Sequence, residues 1–176
     1  MSEQIVAQRS NDGTTSNRGT FTNNSTFDLG NGITTINIKG NYTQYSTGNL
    51  LVDFDTNGKS DKLNITEGSA NLDGKITLTP QVDYYYNGQM ITIDVVDATS
   101  ITNNIKNDDG LEKVIFNNIS PVLNFSLNET ETTDSLLKEG KYVINVQRVE
   151  QGYQNVATDD ISSGIGSAID IDSQKK

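Results

Sequence analysis

The feature that most constrains the fold is a short pattern that occurs three times. Glycine, any residue, an apolar residue and Thr or Asn follow one another in GTFT, GNYT and GSAN, which begin at residues 19, 40 and 68 and so lie 21 and 28 residues apart. Each is followed by a second alternating run, and the first two units add a third run that ends at the glycine of the next unit. Three short strands in a repeat of roughly 20–28 residues are typical of a solenoid, in which each coil stacks on its neighbour.

Apolar and polar residues alternate with a period of two inside these units. In TTINIKG, Ile36 and Ile38 fall on one face and the residues between them on the other. Such alternation predicts short β-strands with one buried face, and no segment before residue 150 has the 3.6-residue period of an amphipathic helix. We therefore predict an all-β fold. The residues expected to face inward and hold the last coils are Leu63, Ile65, Leu72, Ile76 and Leu78.

The low apolar content also favours stacked coils. Only 33% of the 176 residues are apolar, which would hardly fill a compact sandwich of this size. A solenoid needs less, because each coil buries only the inward residue of each alternating pair.

The repeat loses its register after residue 80, although strand-like runs continue to Val149. A solenoid needs a terminal cap, because its last coil would otherwise expose apolar side chains and unpaired backbone groups. The residues expected in the closing strand of this cap are Tyr142, Val143, Ile144 and Val146. The predicted organisation is a flexible lead-in at 1–18, β-helix coils at 19–80, a cap built of β-hairpins at 81–150 and a linker at 151–176.

Composition excludes several classes of chemistry and partner. The chain has no cysteine and no histidine, which removes disulfides, thiolate and imidazole metal ligands, cysteine nucleophiles and histidine general bases. A net charge of −10 argues against binding to nucleic acid or to an anionic membrane surface. No apolar run approaches the ~20 residues of a membrane-spanning helix, and the start MSEQIVAQRS does not have the regions of a secretory signal.

The stretch VDFDTNGKSDKLNI at 52–65 begins like a calcium-binding EF-hand loop, because it contains D-x-D-x-N-G from Asp53 onward. That loop also needs a carboxylate at its twelfth position and a helix on each side. The twelfth residue here is Asn64, and both flanks alternate as strands. We therefore interpret the stretch as a solvated turn. The alternative left open is a calcium site at a coil corner, formed by Asp53, Asp55, Asn57 and Asp61.

Two surface features have a functional alternative beside their structural interpretation. Asp53 and Asp55 lie two apart on one strand face and could form the carboxylate pair of a β-helix glycosidase, although such a pair is usually a solvated face. The run of Tyr84, Tyr85 and Tyr86 could present aromatic rings to a sugar or a peptide. More often, one face of such a run packs in the core and the other lies on the surface.

Longer motifs follow one another in an order that resembles the membrane-proximal end of the passenger domain of bacterial autotransporters. That family typically has a G-[DN]-Y-x-Q strand, an L-x-[VL]-x-[LF] strand, a turn ending in S-D-x-L and a G-x-[AV]-x-L-x-G-x-[LI]-x-[LV] pair. SPVLNFSLN and KYVINVQR are similar to later segments of the family, and the resemblance covers roughly residues 19–172. The matching positions of the four motifs are Gly40, Asn41, Tyr42 and Gln44; Leu50, Val52 and Phe54; Ser60, Asp61 and Leu63; and Gly68, Ala70, Leu72, Gly74, Ile76 and Leu78.

The resemblance implies a right-handed parallel β-helix followed by an autochaperone, or junction, region. That region would fold first outside the outer membrane and serve as a template for the coils. The implied protein is a non-enzymatic segment of an adhesin or virulence factor, without a cofactor, exported by type V secretion to the bacterial cell surface or secreted. Its implied partners are the translocator β-barrel of the same polypeptide and a host surface protein or glycan, and weak self-association stays open.

Two other functions stay open from the sequence. One is a stand-alone adhesive or glycan-binding solenoid that uses the tyrosines at 84–86 or a sheet face. The other is a secreted β-helix enzyme that degrades polysaccharides, for which turnover would require Asp53 and Asp55.

Overall fold

The computed structural model describes residues 19–105, 113–117, 120–127 and 139–149 with their side chains, and the backbone of residues 2–6. The described part of the chain is all-β and contains no helix, as the alternation predicts. The predicted linker at 151–176 lies outside the described residues. The strands are β1 Ser2–Val6, β2 Thr20–Asn23, β3 Thr26–Asp28, β4 Thr35–Lys39, β5 Asn41–Gln44, β6 Asn49–Phe54, β7 Lys62–Thr66, β8 Ser69–Leu72, β9 Lys75–Pro80, β10 Met90–Asp97, β11 Ser100–Asn103, β12 Val114–Phe116, β13 Asn124–Leu127 and β14 Lys141–Val149.

The strands form three sheets, and each sheet takes every third strand of the chain up to β12. Sheet A has the order β1-β4-β7-β10-β14-β13, sheet B the order β11-β8-β5-β2 and sheet C the order β12-β9-β6-β3. Every pairing among β1 to β12 is parallel. From β2 onward the chain therefore passes through sheets B, C and A in the same order, again and again.

The strand register follows the spacing of the repeated glycine pattern. Thr20 pairs with Asn41, and Thr43 pairs with Asn71, so the partners lie 21 and 28 residues apart. A Cβ atom added at Gly68 would overlap the carbonyl oxygen of Gly40, which lies directly below it in the stack. Glycine therefore recurs at this corner because two successive turns of backbone touch there.

The core lies between the three sheets and consists of the inward residues of the strands. All five residues predicted to hold the last coils, Leu63, Ile65, Leu72, Ile76 and Leu78, are buried in it. The burial pattern of β6 and β7 alternates residue by residue, as the period of two requires.

One part of the predicted lead-in has to be corrected. Ser2–Val6 forms strand β1, which pairs in parallel with β4 along its whole length. Among the described strands, the neighbour of β1 is β4, which comes later in the chain, so β1 depends on that pairing rather than on a local pattern.

Parallel pairing does not end with β9 at residue 80. Strands β10, β11 and β12 each add to a sheet in parallel. Among the described strands, β14 alone runs in the opposite direction, so β13 beyond it runs in the direction of β10 again. Sheet A is therefore mixed, with β14 antiparallel to both β10 and β13. The four residues predicted for the closing strand, Tyr142, Val143, Ile144 and Val146, are all buried in β14.

A β-bulge in β10 marks the change from parallel to antiparallel pairing. The register with β14 shifts between Asp94 and Val96, and Val95 and Val96 are both buried. The extra inward residue brings Asp94 and Asp97 to the same outer side of the sheet, where both form ion pairs with Lys62 of β7. Burial lowers the pKa of Lys62, but the hydrogen bonds and charges of the two aspartates outweigh it and raise that pKa above its ordinary value.

No helix that could cross a membrane is found among the described residues.

Candidate functional site: an acidic corner beside a tyrosine loop

The two stretches singled out in the sequence meet at one corner of the strand stack. Residues 53–61, here called the acidic corner, connect sheet C to sheet A between β6 and β7, and residues 81–89, the tyrosine loop, make the same connection between β9 and β10. Gln81 donates a hydrogen bond through Nε2 to Oδ2 of Asp53 at 2.8 Å. Thr56 donates through Oγ1 to the carbonyl oxygen of Tyr84 at 2.9 Å. The corner and the loop are therefore one contiguous surface.

Asp55 closes the turn of the acidic corner. Its Oδ1 accepts hydrogen bonds from the backbone N–H of Asn57 at 2.8 Å and of Lys59 at 2.9 Å. Gly58 has a φ of 81°, a left-handed conformation that suits glycine, and Phe54 and Ser60 form an antiparallel bridge across the turn. The stretch is thus a hairpin-like turn held by a side-chain oxygen, as the sequence predicts.

Asp61 is a buried carboxylate that joins three segments. Its side chain is almost fully enclosed, Oδ1 accepts from the backbone N–H of Thr34 at 2.6 Å, and Oδ2 accepts from that of Asp53 at 2.8 Å. Burial raises the pKa of Asp61 to about 6, against the opposing effect of the two N–H donors. The carboxylate therefore fastens the acidic corner to the residues before β4.

The carboxylate of Asp53 also accepts hydrogen bonds from neighbouring residues. Its Oδ2 accepts from the backbone N–H of Gly32 at 3.3 Å as well as from Gln81. Partial burial raises the pKa of Asp53 above its ordinary value, and the nearby charge of Asp28 adds to this shift.

The four residues of the alternative calcium site are not brought together as ligands. Asp55 accepts backbone N–H groups of its own turn, and both carboxylate oxygens of Asp61 accept backbone N–H groups. The backbone N–H of Asn57 serves the same turn, through its bond to Asp55. In the part of the chain that the structure describes, no group of three His, Cys, Asp or Glu residues is placed to hold a metal ion.

The tyrosine run divides between core and surface, as its structural interpretation predicts, and Tyr85 is not available as a surface ring. Tyr84 is 79% exposed and Tyr86 57%, whereas Tyr85 is 6% exposed. The Tyr85 hydroxyl donates to the carbonyl oxygens of Phe54 at 3.2 Å or Gln81 at 3.1 Å, so its polar end is satisfied inside the protein. Burial raises the pKa of Tyr85, and the charges of Asp83 and Asp55 raise it further.

Gln89 holds the tyrosine loop in place, a role that the sequence did not reveal. It is buried, donates through Nε2 to the carbonyl oxygen of Thr56 at 2.8 Å, and accepts through Oε1 from the N–H of Tyr86 at 3.1 Å. On the cap side, the N–H of Gly88 donates to the carbonyl oxygen of Arg148, and the N–H of Arg148 donates to that of Gln89. The loop is therefore fixed both to the acidic corner and to β14.

An aromatic cluster closes the core below the tyrosine loop. The ring of Phe125 in β13 packs edge-on against Phe54 at 5.3 Å and Tyr85 at 5.2 Å, measured between centroids, and stacks on Phe116 at 5.9 Å. Phe125 is buried. The sequence pattern SPVLNFSLN had suggested a strand here, but not that its Phe contacts residues from both the acidic corner and the tyrosine loop.

A buried polar network lies at another corner of the stack. Asn23 donates through Nδ2 to the Tyr42 hydroxyl at 3.3 Å, and this hydroxyl donates to Oε1 of Gln44 at 2.9 Å. Gln44 in turn donates through Nε2 to the carbonyl oxygens of Asp73 at 2.6 Å and Lys75 at 2.9 Å. Burial raises the pKa of Tyr42, so it remains a neutral donor. The network links three successive turns of the chain, and the sequence analysis identified Gln44 only as a matching position of the G-[DN]-Y-x-Q motif.

Comparisons with family models, with curated proteins and with solved structures found no match for this chain.

Proposed function

We propose that this chain is a parallel β-helix segment with a C-terminal cap that folds first and serves as the template for the coils stacked on it. In this proposal the helix is right-handed, and residues 81–149 are the cap. The protein acts without catalysis, as the C-terminal passenger segment of a bacterial autotransporter. It works at the cell surface, or in secreted form, beside the translocator of the same polypeptide.

The observation that most supports the proposal is the antiparallel strand β14. It pairs with β10 from Met90 to Asp97, where the next parallel coil would otherwise lie, and it brings Tyr142, Ile144 and Val146 into the core. A strand that pairs antiparallel ends the parallel stacking on that side. With β13 and its Phe125 it forms a unit that could bury apolar surface before the coils exist.

A template role also agrees with the energetics of stacked repeats. A coil cannot bury its inward residues alone, so the first coil is costly and each later one is favourable. A preformed end lowers that first cost, because it offers both apolar surface and unpaired strand edges. The non-catalytic part of the proposal is supported by Asp53 and Asp55, whose carboxylates accept hydrogen bonds from their own neighbourhood.

The proposal is tested by secretion of the natural full-length protein carrying Val146→Asp. A carboxylate in place of this buried side chain should prevent the cap from folding, so surface display and protease resistance should both be lost. Gln147→Asp on the same strand is the matched control, since residue 147 is only partly buried. Normal display with full protease resistance in the Val146→Asp protein would contradict the template role.

Whether the chain belongs to the autotransporters can be tested separately by reading its gene. Reading the natural coding sequence on the 3′ side of the codon for Lys176 should reveal a translocator in the same frame. A stop codon directly after it would remove the main support for type V secretion and favour a stand-alone binding protein.

A further inference from the structure

The tyrosine loop combines strong exposure of aromatic rings with a fixed backbone. Tyr84 and Tyr86 expose most of their surface, and Val82 is 93% exposed on the same loop. A surface loop with exposed side chains usually has a mobile backbone. Here, however, the carboxylate of Asp83 accepts a hydrogen bond from the backbone N–H of Tyr84 at 2.7 Å. Together with the bonds of Thr56 and Gln89, this fixes the backbone at Tyr84 and Tyr86, from which the two rings project into solvent.

The alternation of the run explains how both rings stay available. Tyr85 points into the core, where it contacts Phe54 and Phe125, so its neighbours on either side point outward. A loop whose backbone is already held in place loses little conformational freedom when a partner binds. Tyrosine is also among the residues that contribute most to binding at protein interfaces, since it offers a large area with few rotatable bonds.

The charge around the rings is negative. Asp83 adjoins Tyr84 in the tyrosine loop, and Asp55 lies in the acidic corner, which the hydrogen bond from Thr56 to the carbonyl oxygen of Tyr84 joins to that loop. The two carboxylates therefore belong to the same surface. No described lysine or arginine forms an ion pair with either of them, although Lys59 belongs to the same turn. A ligand with a positive charge would gain both from these carboxylates and from the faces of the tyrosine rings.

We propose that the exposed rings of Tyr84 and Tyr86, with Val82 and the carboxylates of Asp55 and Asp83, form a binding surface for a protein segment that carries arginine or lysine. An apolar contact on Val82 and the rings would supply area, and the carboxylates would select for the basic residue. A neutral glycan could stack on the rings but would make no use of the charge, so the observations favour the basic peptide. This surface is distinct from the buried cap contacts and does not depend on the template role.

The test uses the full chain, immobilised through a C-terminal tag, and a phage library of random dodecapeptides. The probe for affinity is the synthetic consensus peptide from that selection, measured by fluorescence anisotropy. Enriched peptides should contain arginine or lysine, and Tyr84→Ala with Tyr86→Ala should weaken their binding by about tenfold or more. Tyr45→Ala is the matched control, because Tyr45 is 52% exposed but lies between β5 and β6, at a different corner.

The contribution of charge is separated by Asp55→Asn with Asp83→Asn. Asparagine keeps the Oδ1 acceptor that each backbone bond uses, so the turn and the loop should remain folded while two charges are removed. Binding should weaken by about threefold to tenfold at low salt, and raising the salt should weaken the unmodified protein similarly. Equal selection of peptides by the protein and by the double tyrosine variant would overturn the proposal. So would tyrosine-dependent binding of neutral glycans on an array without any selection for basic peptides.

Discussion

The two ends of the strand stack are built differently. At the N-terminal end, β2 and β3 are the last described strands of sheets B and C, and the inward rings of Phe21 and Phe27, 4.9 Å apart, are only partly buried. At the C-terminal end, β14 and then β13 extend sheet A by antiparallel pairing, and the inward ring of Phe125 is buried. A parallel stack leaves its last coil uncovered unless another element covers it or pairs with its edge, and here β14 pairs with the edge of sheet A.

Strand β10 belongs to both kinds of structure. Its last residues, Val96 and Asp97, pair in parallel with β7, whereas the whole strand pairs antiparallel with β14. The bulge at Val95 changes which residues of this strand face the core, so that Val95 and Val96 are both buried. The difference between the ends therefore predicts that damage at the cap spreads through the stack, while damage at the N-terminal end stays local.

The largest effect is expected when a charge is buried at one end or the other. Val146→Asp should unfold the whole described stack, whereas Ile38→Asp should unfold β4 and its neighbours and leave β8 to β14 protected from hydrogen exchange. Each substitution places an unpaired carboxylate among buried apolar side chains, at a cost of more than about 4 kcal/mol. Equal loss of protection along the chain in both variants would remove the predicted asymmetry.

A second comparison truncates one aromatic ring at each end. Phe125→Ala should lower the free energy of unfolding by about 3–5 kcal/mol, because this buried ring contacts three others. Phe21→Ala should cost about 1–2 kcal/mol, because that ring remains partly exposed. Chemical denaturation of the two variants measures the difference, and a larger loss for Phe21→Ala would mean that the N-terminal end is the better packed one.

A third substitution tests the polar network of the coils. Gln44→Ala should cost about 2 kcal/mol, because it removes the acceptor for the proton of the Tyr42 hydroxyl and the side-chain donor to two backbone carbonyls. Thr43→Ala is the control, since that neighbouring side chain faces outward in β5. Thermal unfolding should separate the two, and equal midpoints would show that water replaces Gln44 at no cost.

The smallest effect is a pH dependence from Asp61. The pKa of this carboxyl is raised from 3.8 to about 6 on folding, so its contribution to stability is present at low pH and is lost as the pH rises through 6. Between pH 5 and pH 7 the free energy of unfolding should fall by about 1 kcal/mol from this group. Denaturation of the protein and of Asp61→Asn across this range should give a flatter profile for the variant. An identical slope in both proteins would contradict the assignment to Asp61.

Strands β2 to β9 and their inward residues could be predicted from the sequence, because they depend on local alternation and a regular repeat. Leu63 and Ile76, for example, are buried because they lie on the apolar face that the period of two predicts. The role of DTNGKS as a turn followed in the same way from its residue types. Strand β1 could not be predicted, because its partner lies more than thirty residues further on.

The site depended on contacts that no local pattern encodes. The acidic corner and the tyrosine loop lie about 28 residues apart in sequence, and only the stacking brings Gln81 to Asp53. The two adjacent valines at 95 and 96 did break the alternation in MITIDVVD, and this was a readable sign of the bulge. Nothing in the sequence, by contrast, distinguished Gln89 or Phe125 from other residues of their type.

The central claim is that the cap folds before the coils, and pulse-labelled hydrogen exchange during refolding tests it most directly. Labelling at successive times after dilution from denaturant reports when the amides of each strand become protected. Amides of β10, β13 and β14 should be protected first, followed by β7 to β9 and last by β2 to β4. Protection that begins at β2 to β5 and reaches β14 last, or that appears everywhere at once, would contradict the account.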